Sequence, residues 1–173
     1  MRTCRGGLGT IADVHILLAT DVDWIVDEVT AALGGPDTTF TVVREGRLVN
    51  KVCRDRVPDL AVLGLQIGSM GGMAVTMDLR HDESAGAYDH VKVLMLLDRH
   101  ADVHLARRSG AEGWIVKPLD AIRLQRAAEA ILTGGVWHNG DLVTPATEPE
   151  DVPPIEDLEE AGANPEEQPA NAG

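Results

Sequence analysis

Aromatic residues make up only 3% of this 173-residue chain, so its core has to be assembled from Val, Leu, Ile, Ala and Met. Cysteine is as scarce. Cys4 and Cys53 show no disulfide or ligand spacing, which fits reduced thiols in a cytoplasm. Cys53 then reads as a small apolar residue in a helix. No apolar run reaches the ~18 residues that a membrane span requires. Arg2 and Arg5 are not followed by the apolar stretch of a signal peptide, so a cytoplasmic protein is expected. Positive charge is missing from the C-terminal part: from Asp141 onward there are 10 acidic residues and no Lys or Arg. Residues 1–140 hold 18 acidic and 15 basic residues, so the net charge of −13 lies mostly in that tail. No basic patch points to nucleic acid.

What is present is an alternation of short apolar runs and amphipathic stretches. Residues 1–12 form a lead-in whose Gly6, Gly7 and Gly9 precede a strand, the wrong order for a phosphate-binding loop. Val14 to Ala19 is the first strand. Asp23 can cap the helix after it, with Trp24, Ile25, Val29, Ala32 and Leu33 on one face. Phe40 to Val43 is the second strand, and Arg47 to Arg56 a short helix with Leu48, Val52 and Cys53 facing inward. Met73, Val75, Met77 and Leu79 give an uneven helical pattern, and His81 to Asp89 reads as a loop. Val91 to Leu97 is the fourth strand, followed by a helix from Asp98 to Ser109 that Gly110 stops. Gly113 to Val116 is the fifth strand. Asp120 caps a last helix, and Gly134 and Gly135 end it.

The third strand organises the rest. Leu60 to Leu65 has no alternation and almost no polarity, as suits a strand buried on both faces of a parallel sheet. In open α/β sheets, sites lie at the carboxyl ends of the strands. The loop that follows here, Gln66 to Gly72, offers no carboxylate, Cys, His or Lys. Five strands alternating with five helices imply a doubly wound α/β sheet. One domain is expected over residues 13–138. Residues 139–173 are expected to be a disordered acidic tail, too poor in large apolar residues to offset the cost of ordering. Ile155 and Leu158 fit one turn of helix on a partner, though a solvated tail is the simpler reading.

Pro58-Asp59-Leu60, Met70-Gly71-Gly72, Ser109-Gly110-Ala111 and Trp114-Ile115-Val116-Lys117-Pro118, in this order, resemble the receiver domain of bacterial two-component response regulators. The resemblance covers about residues 13–135. It implies a flavodoxin-like, CheY-like five-stranded sheet of order 2-1-3-4-5. It also implies a chemistry in which an aspartate ending the third strand takes a phosphoryl group from a histidine kinase. Mg²⁺ is held there by that aspartate and an acidic pair after the first strand, while a Thr or Ser and a Lys contact the phosphoryl oxygens.

On this chain the acceptor position falls on Gly64, the acidic pair on Thr20 and Asp21, the hydroxyl position on Leu97 and the lysine on Lys117. Three of those parts are missing. Gln66 does not replace a carboxylate pair, and no Mg²⁺ or other cofactor is expected. Asp59 starts the third strand, some five residues or ~16 Å from Gly64 at strand rise. The rotating aromatic of the family corresponds to Trp114, which reads equally as a signalling ring or a core ring.

Other candidates have plainer readings. Lys117 either binds an anion or pairs with Asp21. His100 and His104 have a zinc-compatible spacing but no third ligand nearby, so no metal site is expected. Asp98, Asp102, Arg107, Arg108, Arg123 and Arg126 lie on the fourth and fifth helices, the face that receivers commonly pair through, and a solvated face is the alternative. The reading that results is an atypical stand-alone receiver, not an enzyme. It would act in signal transduction by phosphorylation-independent binding of a regulatory protein partner or by homodimerisation, without direct contact to nucleic acid or membrane. The alternative is a small-ligand or anion sensor using the vacated pocket at Thr20, Asp21, Gly64 and Lys117.

Overall fold

Four apolar runs become strands buried along their whole length: β1 (Val14–Ala19), β3 (Leu60–Gly64), β4 (Val93–Leu97) and β5 (Gly113–Val116). The computed structural model describes residues 13–68, 70–138 and 141–143. Its remaining elements are β2 (Thr38–Val43), α1 (Asp23–Leu33), α2 (Gly46–Asp55), α3 (Gly72–Ser84), α4 (Val103–Ser109, after a 3₁₀ turn over His100–Asp102), α5 (Ala121–Leu132), β6 (Val136–His138) and β7 (Asp141–Val143). The sheet order is β2-β1-β3-β4-β5-β6-β7. Strands β1 to β6 pair parallel, and β7 runs antiparallel to β6.

Because strand side chains alternate between faces, the buried sheet feeds two cores. Leu17, Ala19, Leu63, Met95, Leu97 and Trp114 pack against Val49 and Cys53 of α2, Val75 and Leu79 of α3, and Ala106 of α4. Ile16, Leu18, Val62, Leu94 and Ile115 pack against Ile25 and Val29 of α1 and Leu124, Ala127 and Ile131 of α5. Full burial of each such aliphatic side chain contributes roughly 1.5–3 kcal/mol.

The five-strand expectation is corrected by β6 and β7, which extend the sheet beyond β5. Strand β7 falls within the stretch expected to be tail. The lead-in 1–12, residues 144–173, and with them Cys4, Ile155 and Leu158, lie outside the described residues. Helix α3 runs on to Ser84 through residues expected to form a loop. Its polar end is held by partners: Asp82 by Arg54 at 2.6 Å, and Glu83 by Arg80 at 2.7 Å. In α2 Cys53 is buried and Val52 packs against the core as expected, Val49 joins them, and Leu48 is instead 45% exposed. That helix starts at Gly46, where a Cβ would lie 2.2 Å from the Met70 carbonyl oxygen, so the close approach sets its rotation. Trp24 is likewise 48% exposed instead of joining Ile25 and Val29. Helix α1 is preceded by Val22 without a side-chain cap, and Asp23 pairs with Arg44 at 2.6 Å. At α5 the expected cap forms: the Arg123 backbone N–H donates to Asp120 Oδ1 at 2.9 Å.

The first turn of α3 sits on the end of β3. A Cβ at residue 72 would lie 2.3 Å from the Gly64 carbonyl oxygen, a backbone atom that cannot move aside alone. Gly72→Ala is therefore expected to cost about 1–3 kcal/mol, read as a lower urea midpoint. An unchanged midpoint would contradict this packing.

Candidate functional site

Strand ends place the expected positions along one edge of the sheet. Thr20 follows β1, Gly64 ends β3, Leu97 ends β4 and Lys117 follows β5. The register aligns them, since Ala19 pairs with Leu63, Gly64 with Leu96, and Leu97 with Val116. The edge is real, but its chemistry is sparse. Gly64 is buried, and a Cβ there would find ordinary space, 3.6 Å from Thr20 Oγ1 and 3.4 Å from the Gln66 carbonyl oxygen. Thr20 is fully buried, and its hydroxyl accepts the Val22 N–H at 3.3 Å. Leu97 is fully buried in the core and offers no polar atom.

The two charged groups are both engaged. Asp21 Oδ2 accepts the Gly68 N–H at 3.2 Å, which ties the end of β1 to the β3–α3 loop. Lys117 does not pair with Asp21 as one expectation had it. Its ammonium donates to Asp98 Oδ1 at 2.7 Å and lies 5.5 Å from the centroid of the Trp24 ring. Asp98 follows Leu97 as Lys117 follows Val116, so the parallel register alone sets them side by side. A carboxylate on one side and a ring face on the other both stabilise a cation. The Lys117–Pro118 bond is cis.

Asp98 and Trp24 are therefore site residues that the sequence reading placed elsewhere, one on a dimer face and the other in the core. The signal that could have found Asp98 was its position one residue past a buried strand, beside the strand that delivers the lysine. Among the described residues no group of three or more His, Cys, Asp or Glu is placed to hold a metal. Cys53 is no nucleophile, because burial, with Glu83 adding to it, pushes its thiol up to about 12.

Trp114 is a core ring in this structure, only 2% exposed. It stacks on His138 of β6 at 4.1 Å between centroids and 20° between planes, and the Arg107 guanidinium lies 5.6 Å from its centroid. The strand that sequence reading left out thus supplies the wall against which the family's signalling position rests. Arg107 and Arg108 are exposed in the last turn of α4, Asp102 precedes that helix, and Arg126 is exposed on α5. Arg123 is partly buried.

The architecture is that of receiver domains. Solved structures with the same fold include the chemotaxis response regulator CheY4 of Vibrio cholerae, with TM-score 0.62, 19% identity, and 69% of this chain and 99% of that one covered. The receiver domain of NtrX from Brucella abortus is similar, with TM-score 0.60, 24% identity, and 69% and 99% covered. By sequence, the chain is similar to the transcriptional regulatory protein CseB of Streptomyces avermitilis, 29% identical over 120 residues that cover 68% of this chain and 48% of the relative. It is also similar to the DNA-binding response regulator MtrA of Mycobacterium tuberculosis, 28% identical over 141 residues that cover 80% of this chain and 59% of the relative. The chain spans about half to three-fifths of the length of such relatives. No family model matches. The chain thus has a CheY-like receiver fold, and the curated proteins it is similar to are response regulators. No helix among the described residues is long and apolar enough to cross a membrane.

His15 and His138 both have pKa values held below the ordinary 6.5, chiefly by burial, with Arg56 and Arg107 respectively adding to it. A histidine kept neutral by the fold leaves stability intact above the unfolded value. That stability is lost as pH falls below it, because the unfolded chain then binds the extra proton. The urea midpoint is expected to drop between about pH 7 and pH 5.5, and His138→Gln to flatten the drop. An equal drop in that variant would remove His138 from the account.

Proposed function

We propose that this receiver domain signals without taking up a phosphoryl group, and that its output is the binding of a protein partner through the face built from α4, α5 and β6. The observation that carries the reading is the end of β3, where the chain has Gly64 in place of any side chain that a phosphoryl group could join. Three further features support it. Leu97 gives no hydroxyl to a phosphoryl oxygen, the carboxylate of Asp21 is joined at its position by Thr20 instead of a second acid, and Lys117 is already held by Asp98. Phosphoryl transfer needs an in-line acceptor, a divalent ion and a cation on the equatorial oxygens together. Removal of one part slows such chemistry, and removal of the acceptor ends it at that position.

Dimerisation through Asp102, Arg107, Arg108, Arg123 and Arg126 belongs to the same reading, with a second copy as the partner. Asp98 has a different role in it, as the counter-ion of Lys117. The sensor reading has less support, because the cation it would rely on already has a carboxylate at 2.7 Å.

The test is intact-mass spectrometry of the whole chain after incubation with acetyl phosphate and Mg²⁺. No added phosphoryl mass is expected. A phosphorylated species that survives in a Lys117→Met control would place the group elsewhere, and one that disappears in that control would sink the reading outright.

A further inference from the structure

Ten arginines lie among the described residues. Arg44, Arg47, Arg54 and Arg80 are each within 2.8 Å of a carboxylate of the same chain. Arg56, Arg99, Arg107, Arg108 and Arg126 make no ion pair with any described residue, and the last three are exposed on α4 and α5. The Arg107 guanidinium also lies over Trp114, whose ring is stacked on His138 of β6.

The chain leaves the described structure beside this face. Val143, the last residue of β7, registers with Val136, the first residue of β6. The next residue, Trp137, donates its backbone N–H to the Glu112 carbonyl at 3.0 Å, three residues past the end of α4. The 30 residues that follow, 144–173, contain nine Asp or Glu and no Lys or Arg. Extended, such a segment reaches on the order of 100 Å, many times the distance across two helices.

We propose that the acidic segment 144–173 docks in cis on the arginine face formed by Arg107, Arg108 and Arg126. Charge complementarity and the point of departure both favour this occupant. A short tether holds the segment near the face at an effective concentration on the order of millimolar, above that of any free copy in dilute solution. Exposed ion pairs are individually weak and are screened by salt. The contact is therefore a reversible cover that a partner or raised ionic strength displaces. It goes beyond the functional reading above and stands whether or not Gly64 prevents phosphoryl uptake.

The test uses the whole chain labelled with ¹⁵N, with arginine Nε–H and backbone amide signals followed at low salt and at about 0.5 M NaCl. A second full-length protein has the nine acids of 144–173 changed to their amides, and a third carries Arg126→Glu. The expected result is that signals of Arg107, Arg108 and Arg126 move on neutralising the segment and on adding salt, by the same amounts at every protein concentration. Signals of β1 to β4, which report the fold, stay in place. In Arg126→Glu the segment's own signals are expected to lose part of their salt dependence. Arginine signals indifferent to neutralisation would overturn the proposal. Shifts that grow with protein concentration would also overturn it, since they would assign the segment to a second copy.

Discussion

The end of β3 is pure backbone, and the neighbouring helix is built on that fact. The first turn of α3 approaches the Gly64 carbonyl so closely that residue 72 has no room for a side chain, and Gly71 is similarly pressed on the Leu65 carbonyl oxygen, at 2.9 Å for an added Cβ. The β3–α3 loop is pinned from the other side by Asp21, which accepts the Gly68 N–H. Together these contacts fix the floor of the cleft at the carboxyl edge of the sheet without any ion. In a domain that binds Mg²⁺, charge in this cleft is balanced by the metal. Here Asp21 is satisfied by a backbone amide, and Lys117 by Asp98 and the Trp24 ring.

Much of this was legible in the sequence, for a physical reason. Strands buried on both faces leave continuous apolar runs, so β1, β3, β4 and β5 and their parallel order were readable, as was the line of Thr20, Gly64, Leu97 and Lys117 along one edge. What escaped was decided by tertiary contact. The rotation of α2 depends on Gly46 against the Met70 carbonyl, and a composition that puts Leu48 inside cannot register that. The end of α3 is polar because Asp82 and Glu83 meet Arg54 and Arg80, partners distant or oriented in ways that periodicity does not reveal. Strands β6 and β7 are three residues each, too short for alternation to announce them. The Lys117–Asp98 pair follows from the parallel register of β4 and β5, which places the two residues nearer each other than a pairing with Asp21 would require.

The two added strands alter the edge of the sheet beside α4 and α5. A receiver sheet that stopped at β5 would leave the edge of that strand, and the ring of Trp114, against solvent. Here β6 pairs with β5, His138 stacks on Trp114, and Arg107 lies over the same ring. A ring held between a strand and a guanidinium is poorly suited to swing between two positions in response to chemistry at the cleft.

The most direct measurement is a pair of ¹H–¹⁵N spectra of the whole chain, without and with Mg²⁺ plus beryllium fluoride, a mimic of a carboxylate-linked phosphoryl group. The expected result is that the amides of Thr20, Asp21, Gly64, Leu97 and Lys117 keep their positions. A second set of peaks at those residues, spreading to Trp114 and α4, would show a working phosphoryl site and contradict it.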